Sequence, residues 1–296
     1  MEKMTNFADG KDCGAPNPDT GKYEMADLTT VLNRLVAPDG CPWDREQTHA
    51  SIRRNMIEEA YEAVDAIDSR EVARIVDELG DVLLQVLLHA AIAEKNGSFE
   101  LTDVTDNLCR KLISRHTHIF GDDEADSGAA SLAVWEKNKM KEKGLRSYAE
   151  TLTDLPKGLP ALMRAEKLQK RAGKAGFDWA DAEGAYEKVH EELGEIRDAL
   201  MEAGHPPFAK VDETTEPSLY DELEKEMGDF LFAAVNYSRL LGVEPEVALS
   251  RSNEKFIRRF TQVELLAERE GRKLTEMSLA EMDVLWEAVK REERSN

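Results

Sequence analysis

The chain repeats itself, and no other feature restricts its fold as strongly. "NMIEEAYEAVDAI" at Asn55–Ile67 aligns without gaps on "KVHEELGEIRDAL" at Lys188–Leu200, and "ELGDVLL" at Glu78–Leu84 aligns on "EMGDFLF" at Glu226–Phe232. "KLISRH" (Lys111–His116) then matches "KFIRRF" (Lys255–Phe260), and "WEKNK" (Trp135–Lys139) matches "WEAVK" (Trp286–Lys290). Four blocks in one order make two copies of a single unit. Apolar residues recur at three-to-four spacing, beginning with Leu28, Val31, Leu32 and Leu35, whereas strand and hairpin signals are nearly absent. The expected fold is all-α, with two tandem helical bundle units at 26–150 and 161–296. A polar tail at 1–25 precedes them, and a Pro- and Gly-containing linker at 151–160 joins them. Within the second unit, Glu202–Glu222 reads as an acidic, Pro-containing loop.

Composition excludes several classes of function. With 39 basic and 60 acidic residues among 296, the net charge is −21, which repels nucleic-acid backbones and anionic membranes. The longest apolar run, Val82–Ala93, is interrupted by Gln85 and His89 and is too short to span a bilayer. Three cysteines without a CxxC pair, and an N-terminus without an apolar signal core, fit a reduced cytoplasmic protein. "GAPNPDTGKY" at Gly14–Tyr23 falls short of a phosphate loop, because its spacing is wrong and Tyr23 stands where a Ser or Thr would hold a metal.

Within each unit the acids carry the chemistry. Residues three apart on a helix lie about 60° apart around its axis. Glu59 with Glu62, and Glu78 with Asp81, therefore each share one helix face, as do Glu192 with Glu195 and Glu226 with Asp229. An acidic helix face is most often simply solvated. Against that stand the recurrence of the pairs in both halves, the apolar helices they lead into, and a glycine (Gly80, Gly228) inside each second pair. Such a glycine suggests close approach of another helix or a ligand. Opposed carboxylate pairs of this kind suit a hard cation, Mg²⁺ or Mn²⁺, working beside phosphates.

Cations recur alongside. Lys111 and Arg115 are four apart, as are Lys255 and Arg259; each pair is either a salt-bridged surface or a set of phosphate ligands. Trp135 and Trp286 either stack on a base or pack in a core, with Lys139 and Lys290 one turn further on. Glu46-x-x-His49 resembles a di-iron ligand pair but has no counterpart in the second half, and belongs with an N-terminal cap, "DREQTH". The remaining histidines form no triad-like or zinc-like set.

The doubled EExxE and ExxD motifs, with "CPWDREQTH", "KLISRHTHIF", "LPALMRAEKLQKRAGKAGFDW" and "NEKFIRRF", resemble the MazG nucleoside triphosphate pyrophosphohydrolases over about residues 26–296. That resemblance implies an all-α homodimer whose helices join into larger bundles. It further implies Mg²⁺-dependent hydrolysis of NTPs and dNTPs to the monophosphate and pyrophosphate. By motif position it assigns metal binding to Glu192, Glu195, Glu226 and Asp229, and nucleotide binding to Lys188, Glu191, Lys255, Arg259, Trp286 and Lys290. In the first half it places Glu59, Glu62, Glu78 and Asp81 at metal positions and Lys111, Arg115, Trp135 and Lys139 around them. The catalytic base is drawn from Glu191, Glu192 and Glu195. Asn55 stands where the second unit has Lys188, so the second unit is the expected catalytic one. A specialised pyrophosphatase for dUTP or phosphoribosyl-ATP, or a non-catalytic metal-binding helical protein, remain the alternatives.

Overall fold

Thr48 opens the first long helix with a reciprocal cap, its hydroxyl accepting from Ser51 N while Ser51 answers at Thr48 N. The computed structural model describes residues 16–17, 19–211 and 216–295; most of the expected tail, including Gly14 of the phosphate-loop-like stretch, lies outside the described residues. Every regular element among the described residues is helical, and the chain divides into two compact units, Met1–Lys139 and Met140–Asn296.

The first unit holds α1 (Met25–Val36), α2 (Pro42–Glu46), α3 (His49–Ser69), α4 (Val72–Lys95), α5 (Leu101–Arg115), α6 (Thr117–Phe120) and most of α7 (Gly128–Glu142). Only Arg70 and Glu71 separate α3 from α4, so the two pack as a helical hairpin, with Arg70 in the left-handed region at the turn. α1 lies against α4, and Val36, Leu88, Ala91 and Ile92 form a core there with Ile52 of α3. Gly97 ends α4 at a positive φ of 67°, which lets Ser98 N reach back to Ala93 O at 3.0 Å.

The second unit holds α8 (Tyr148–Thr153), α9 (Ala161–Lys174), α10 (Glu183–Glu202), α11 (Pro217–Leu240), α12 (Pro245–Arg269) and α13 (Leu279–Ser295), with a 3₁₀ turn at Leu274–Glu276. α10 and α11 form its principal pair; α9 lies against α11, and α12 pairs with α13 around Val263, Ala267, Met277, Leu285 and Val289. The connection after α10 is shorter than Glu202–Glu222, because Pro217 begins α11 at the position where a missing N–H costs nothing. The stretch 151–160 packs with this unit: it carries the end of α8 and the buried Leu155, and the units divide ahead of it. No helix among the described residues is long and apolar enough to cross a membrane.

Candidate metal and nucleotide site

α10 presents Glu192 and Glu195 one turn apart, and α11 brings Glu226 to meet them. One carboxylate oxygen from each lies within 4.8 Å of the other two. Glu192 and Glu226 are buried, at 4 % and 6 % exposure, whereas Glu195 faces solvent. Two lysines offset part of this charge. Lys188 Nζ sits 2.7 Å from Glu192 Oε1 and 2.9 Å from Glu191 Oε1, and Lys225 Nζ sits 2.6 Å from Glu226 Oε1. These partners push the Lys188 pKa upward, Glu192 first, and the Lys225 hydrogen bond holds Glu226 below its ordinary value. At Glu195 the balance goes the other way: desolvation and then the neighbouring Glu192 charge raise its pKa, against a smaller lowering by Lys188.

Glu192 Oε2 is buried without a hydrogen-bond partner. A bare carboxylate oxygen inside an acid cluster is costly unless a cation meets it. The donor set, all carboxylate oxygen, is that of a hard divalent ion, so these residues fit one. Asp229 lines the same cavity of about 790 Å³ with Lys188 and Lys225 but stands outside the tight triad. Glu191 is exposed and holds Lys188.

The first unit repeats the arrangement with different members. Glu59, Glu78 and Asp81 bring carboxylate oxygens within 4.8 Å, all three half-buried; Glu62 is exposed and outside this triad. Desolvation raises the pKa of both Glu59 and Glu78, followed by the Asp81 charge at Glu59 and the Glu62 charge at Glu78. No lysine answers them from the two corresponding positions: Asn55 stands for Lys188, and Asp77 for Lys225. Instead Gln85 Nε2 lies 3.5 Å from Glu59 Oε1. Gly80 and Gly228 give the acids no close neighbour, since a Cβ on either would meet nothing within 4 Å. The close approach those glycines suggested is not made within the chain.

The other cations form a separate group. Arg259, on α12, is held by Glu293 at 2.8 Å and lies 5.8 Å from the Trp286 ring centre, while Lys290 pairs with Glu287 at 2.5 Å. Trp286 packs on the α12–α13 core and against Phe256. Neither these residues nor the exposed Lys255 line the acid cavity. In the first unit Arg115 and Lys139 flank the Trp135 ring at 5.4 and 4.8 Å, with Lys111 half-buried on α5.

Sequence reasoning missed two features here. Lys225 directly precedes the ExxD motif, and one lysine in so acidic a chain gives no signal until α11 places it on Glu226. His49 and His89 also come together, Nδ1 to Nδ1 at 2.8 Å, from positions 40 residues apart.

A paired all-α unit in which two buried glutamates and one exposed one converge beside two lysines has the parts of a metal- and phosphate-handling helical protein, and comparison narrows that class. The model of the MazG nucleotide pyrophosphohydrolase domain matches residues 47–120 and 182–264, one segment in each half. The chain is 42% identical over 267 residues to the nucleoside triphosphate pyrophosphohydrolase of Escherichia coli (strain K12), covering 90% of this chain and 97% of that protein. It is 41% identical over 264 residues to a protein of Thermotoga maritima named nucleoside triphosphate pyrophosphohydrolase/pyrophosphatase MazG, covering 89% and 94%. The chain belongs to the MazG nucleotide pyrophosphohydrolase family.

Proposed function

We propose that the α10–α11 site hydrolyses nucleoside triphosphates, ribo- and deoxyribo-, to the monophosphate and pyrophosphate, with Mg²⁺ as cofactor and Mn²⁺ able to replace it. The observation that carries this reading is the buried Glu192–Glu226 pair with its unpartnered Glu192 Oε2, flanked by Lys188 and Lys225. The pyrophosphohydrolase names of the two relatives support the same reaction. Glu192, Glu195 and Glu226, with Asp229 on the cavity wall, would hold the ion. Bound there, a divalent ion neutralises phosphate charge and lowers the pKa of water.

The chain's own residues do the rest. Glu191, Glu192 and Glu195 are the candidates for taking the water proton; Glu191 and Glu195 are exposed, and Glu192 is buried. Lys188 and Lys225 offset part of the charge of the eight acids that line the cavity, and the divalent cation would supply the rest of what a polyphosphate needs to enter. Lys255, Arg259 and Lys290 serve the nucleotide from α12–α13, with Trp286 backing the Arg259 guanidinium. Lys111, Arg115, Trp135 and Lys139 hold the equivalent places in the first unit, whose Glu59, Glu78 and Asp81, with Glu62 outside their triad, would form a second cation site without the lysines.

The working form is a cytoplasmic homodimer. Apolar side chains exposed on α10 to α12, among them Leu193, Leu231, Phe256 and Ile257, support pairing of two copies. Light scattering during size exclusion checks this, and a monomeric mass at micromolar concentration overturns it. The reaction itself is tested with a panel of NTPs and dNTPs in Mg²⁺, separating pyrophosphate from orthophosphate release. Orthophosphate as the first product, or no turnover of any nucleotide, refutes the assignment.

A further inference from the structure

The open end of the α3–α4 hairpin, away from the Arg70 turn, is closed by two histidines from distant parts of the chain. His49 is the first residue of α3 and is exposed; His89 is half-buried on α4. Their rings lie 10° from parallel with centres 5.1 Å apart, and Nδ1 faces Nδ1 at 2.8 Å. A zinc-like ion held in line between two imidazoles needs about 2.0–2.1 Å on each side, so the gap is too short for one and the contact is a hydrogen bond. His49, the histidine of the Glu46-x-x-His49 spacing, therefore has an imidazole of α4 as its partner. Phe99 lies alongside His49 with ring centres 6.1 Å apart, and Lys95 Nζ donates to Arg45 O at 2.6 Å. The segments before α3 and after α4 thus meet at the same end.

An N–H···N bond between imidazoles needs one ring to donate and the other to keep its lone pair. Exposure assigns the roles: His49 can take a proton at Nε2 and go on donating from Nδ1, so the first proton leaves the bond in place. A second proton must enter at the accepting Nδ1 of His89, where it removes the acceptor and sets two imidazolium ions against each other. Burial, and then the His49 charge, lower the His89 pKa. From the elements packed around the pair, Arg34 of α1, Arg45 and Glu46 of α2, Arg53 of α3, Lys95 of α4 and Glu100 beside Phe99 are the other charged candidates to act on it. Arg34 pairs with Asp39 and Glu100 caps α5, and none of the six is among the causes of the His89 shift. In the register of the repeat, Ala182 and Tyr237 stand at these two positions, so the histidine pair belongs to the first unit alone.

We propose that the His49–His89 bond is a proton-operated latch in the first unit, closed while His89 is neutral and open once both rings carry a proton. Opening frees the first turn of α3 and the Phe99 connection from α4, and loosens the frame of the two helices that carry Glu59, Glu78 and Asp81. In the closed form His89 takes its proton below the ordinary histidine value of 6.5, so the opened form holds more protons there. The latch therefore keeps its full strength above that value and loses it as pH falls from 6.5 through the folded one.

Hydrogen–deuterium exchange of the full chain, read by mass spectrometry and corrected for intrinsic rates, tests this at pH 7.5, 6.5 and 5.5. Opening of residues 47–55 should rise by up to about tenfold from pH 6.5 to 5.5, the limit for one linked proton, and change little above 6.5. Residues 60–69, at the turn end of the same helix, should change by less than about twofold. Glu59 and Glu78 respond with the opposite sign, since their raised pKa values favour the folded form at low pH, so they do not produce the rise. His49→Phe should exchange faster than wild type at every pH and show no step. His89→Gln, whose amide accepts a hydrogen bond without taking a proton, should stay protected through pH 5.5. Equal wild-type exchange at pH 6.5 and 5.5 overturns the latch, and so does a wild-type-like step in either variant. Should a variant fail to fold, the two wild-type segments decide: a step confined to 47–55 supports the latch, and equal steps in both overturn it.

Discussion

Replacing Glu192 by Gln removes one charge from the triad while keeping its shape, and leaves Lys188 a carbonyl oxygen to hold. The helices should survive, because the change relieves repulsion among three carboxylates within 4.8 Å as it weakens one ion pair. Metal binding should not survive, because Glu192 Oε2 is the buried oxygen with no other partner. A ligand that binds only the folded state at a hundred times its Kd adds about 2.7 kcal/mol of stability. The unit Met140–Asn296 has 157 residues, so its unfolding entropy near 60 °C is about 0.33 kcal/mol/K and the melting temperature should rise by about 8 °C. Differential scanning calorimetry of wild type with and without saturating Mg²⁺ should show that rise for the second unit's transition. Glu192→Gln should show almost none, with an unchanged far-UV circular dichroism spectrum. Turnover should fall by more than about a hundredfold, since even the outer partners of metal ligands cost 10- to 100-fold when changed. A variant that keeps both the Mg²⁺ shift and the turnover would refute the reasoning.

Further outcomes follow from the same geometry. Glu62→Gln should leave most pyrophosphate release intact while Glu195→Gln removes it; equal losses in a steady-state assay would mean that the first unit shares the chemistry. In metal-free protein the raised pKa values of Glu59, Glu78 and Glu195 mean that folding holds their protons, so stability falls as pH rises from the ordinary glutamate value through the folded ones. Mg²⁺ should cancel that fall, which melts taken from pH 4 to 8 can read. Asp178→Asn should cost about 2 kcal/mol at neutral pH by removing the charge and one of the two hydrogen bonds that Arg239 donates there. Arg239 holds the Asp178 pKa below its ordinary value, so that difference should vanish as pH drops below about 3.9 and on through the folded value. Urea melts at pH 7 and pH 3 make the comparison.

What could be read in the sequence was what repeats and what is local. The helical class, the doubled unit and the acid pairs each depend on residues within one or two turns, and three acids from each set of four do converge. The fourth differs between the halves, Glu62 in the first and Asp229 in the second, because a shared helix face is wider than one coordination shell. The partners of Gln169 and Asn236, Phe232 O and Arg239, follow from how α9 and α11 pack, which residue spacing does not show. The same limit applies to Arg259 and Trp286, whose motif spacing is regular but whose partners, Glu293 and the α12–α13 core, lie across a helix pair.

Lys188 and Lys225 have a consequence beyond charge balance. They occupy Oε1 of Glu192 and of Glu226, so a cation met by Glu192 Oε2 would share these carboxylates with two ammonium groups. Cation and ammonium therefore compete, and each lysine displaced becomes a donor without an acceptor at the moment a polyphosphate can use it. Two ligands that exchange partners in this way bind cooperatively, and linkage makes the coupling reciprocal. With Asn55 and Asp77 in place of the lysines, the first unit has no such exchange to make, so its cation affinity should be indifferent to nucleotide.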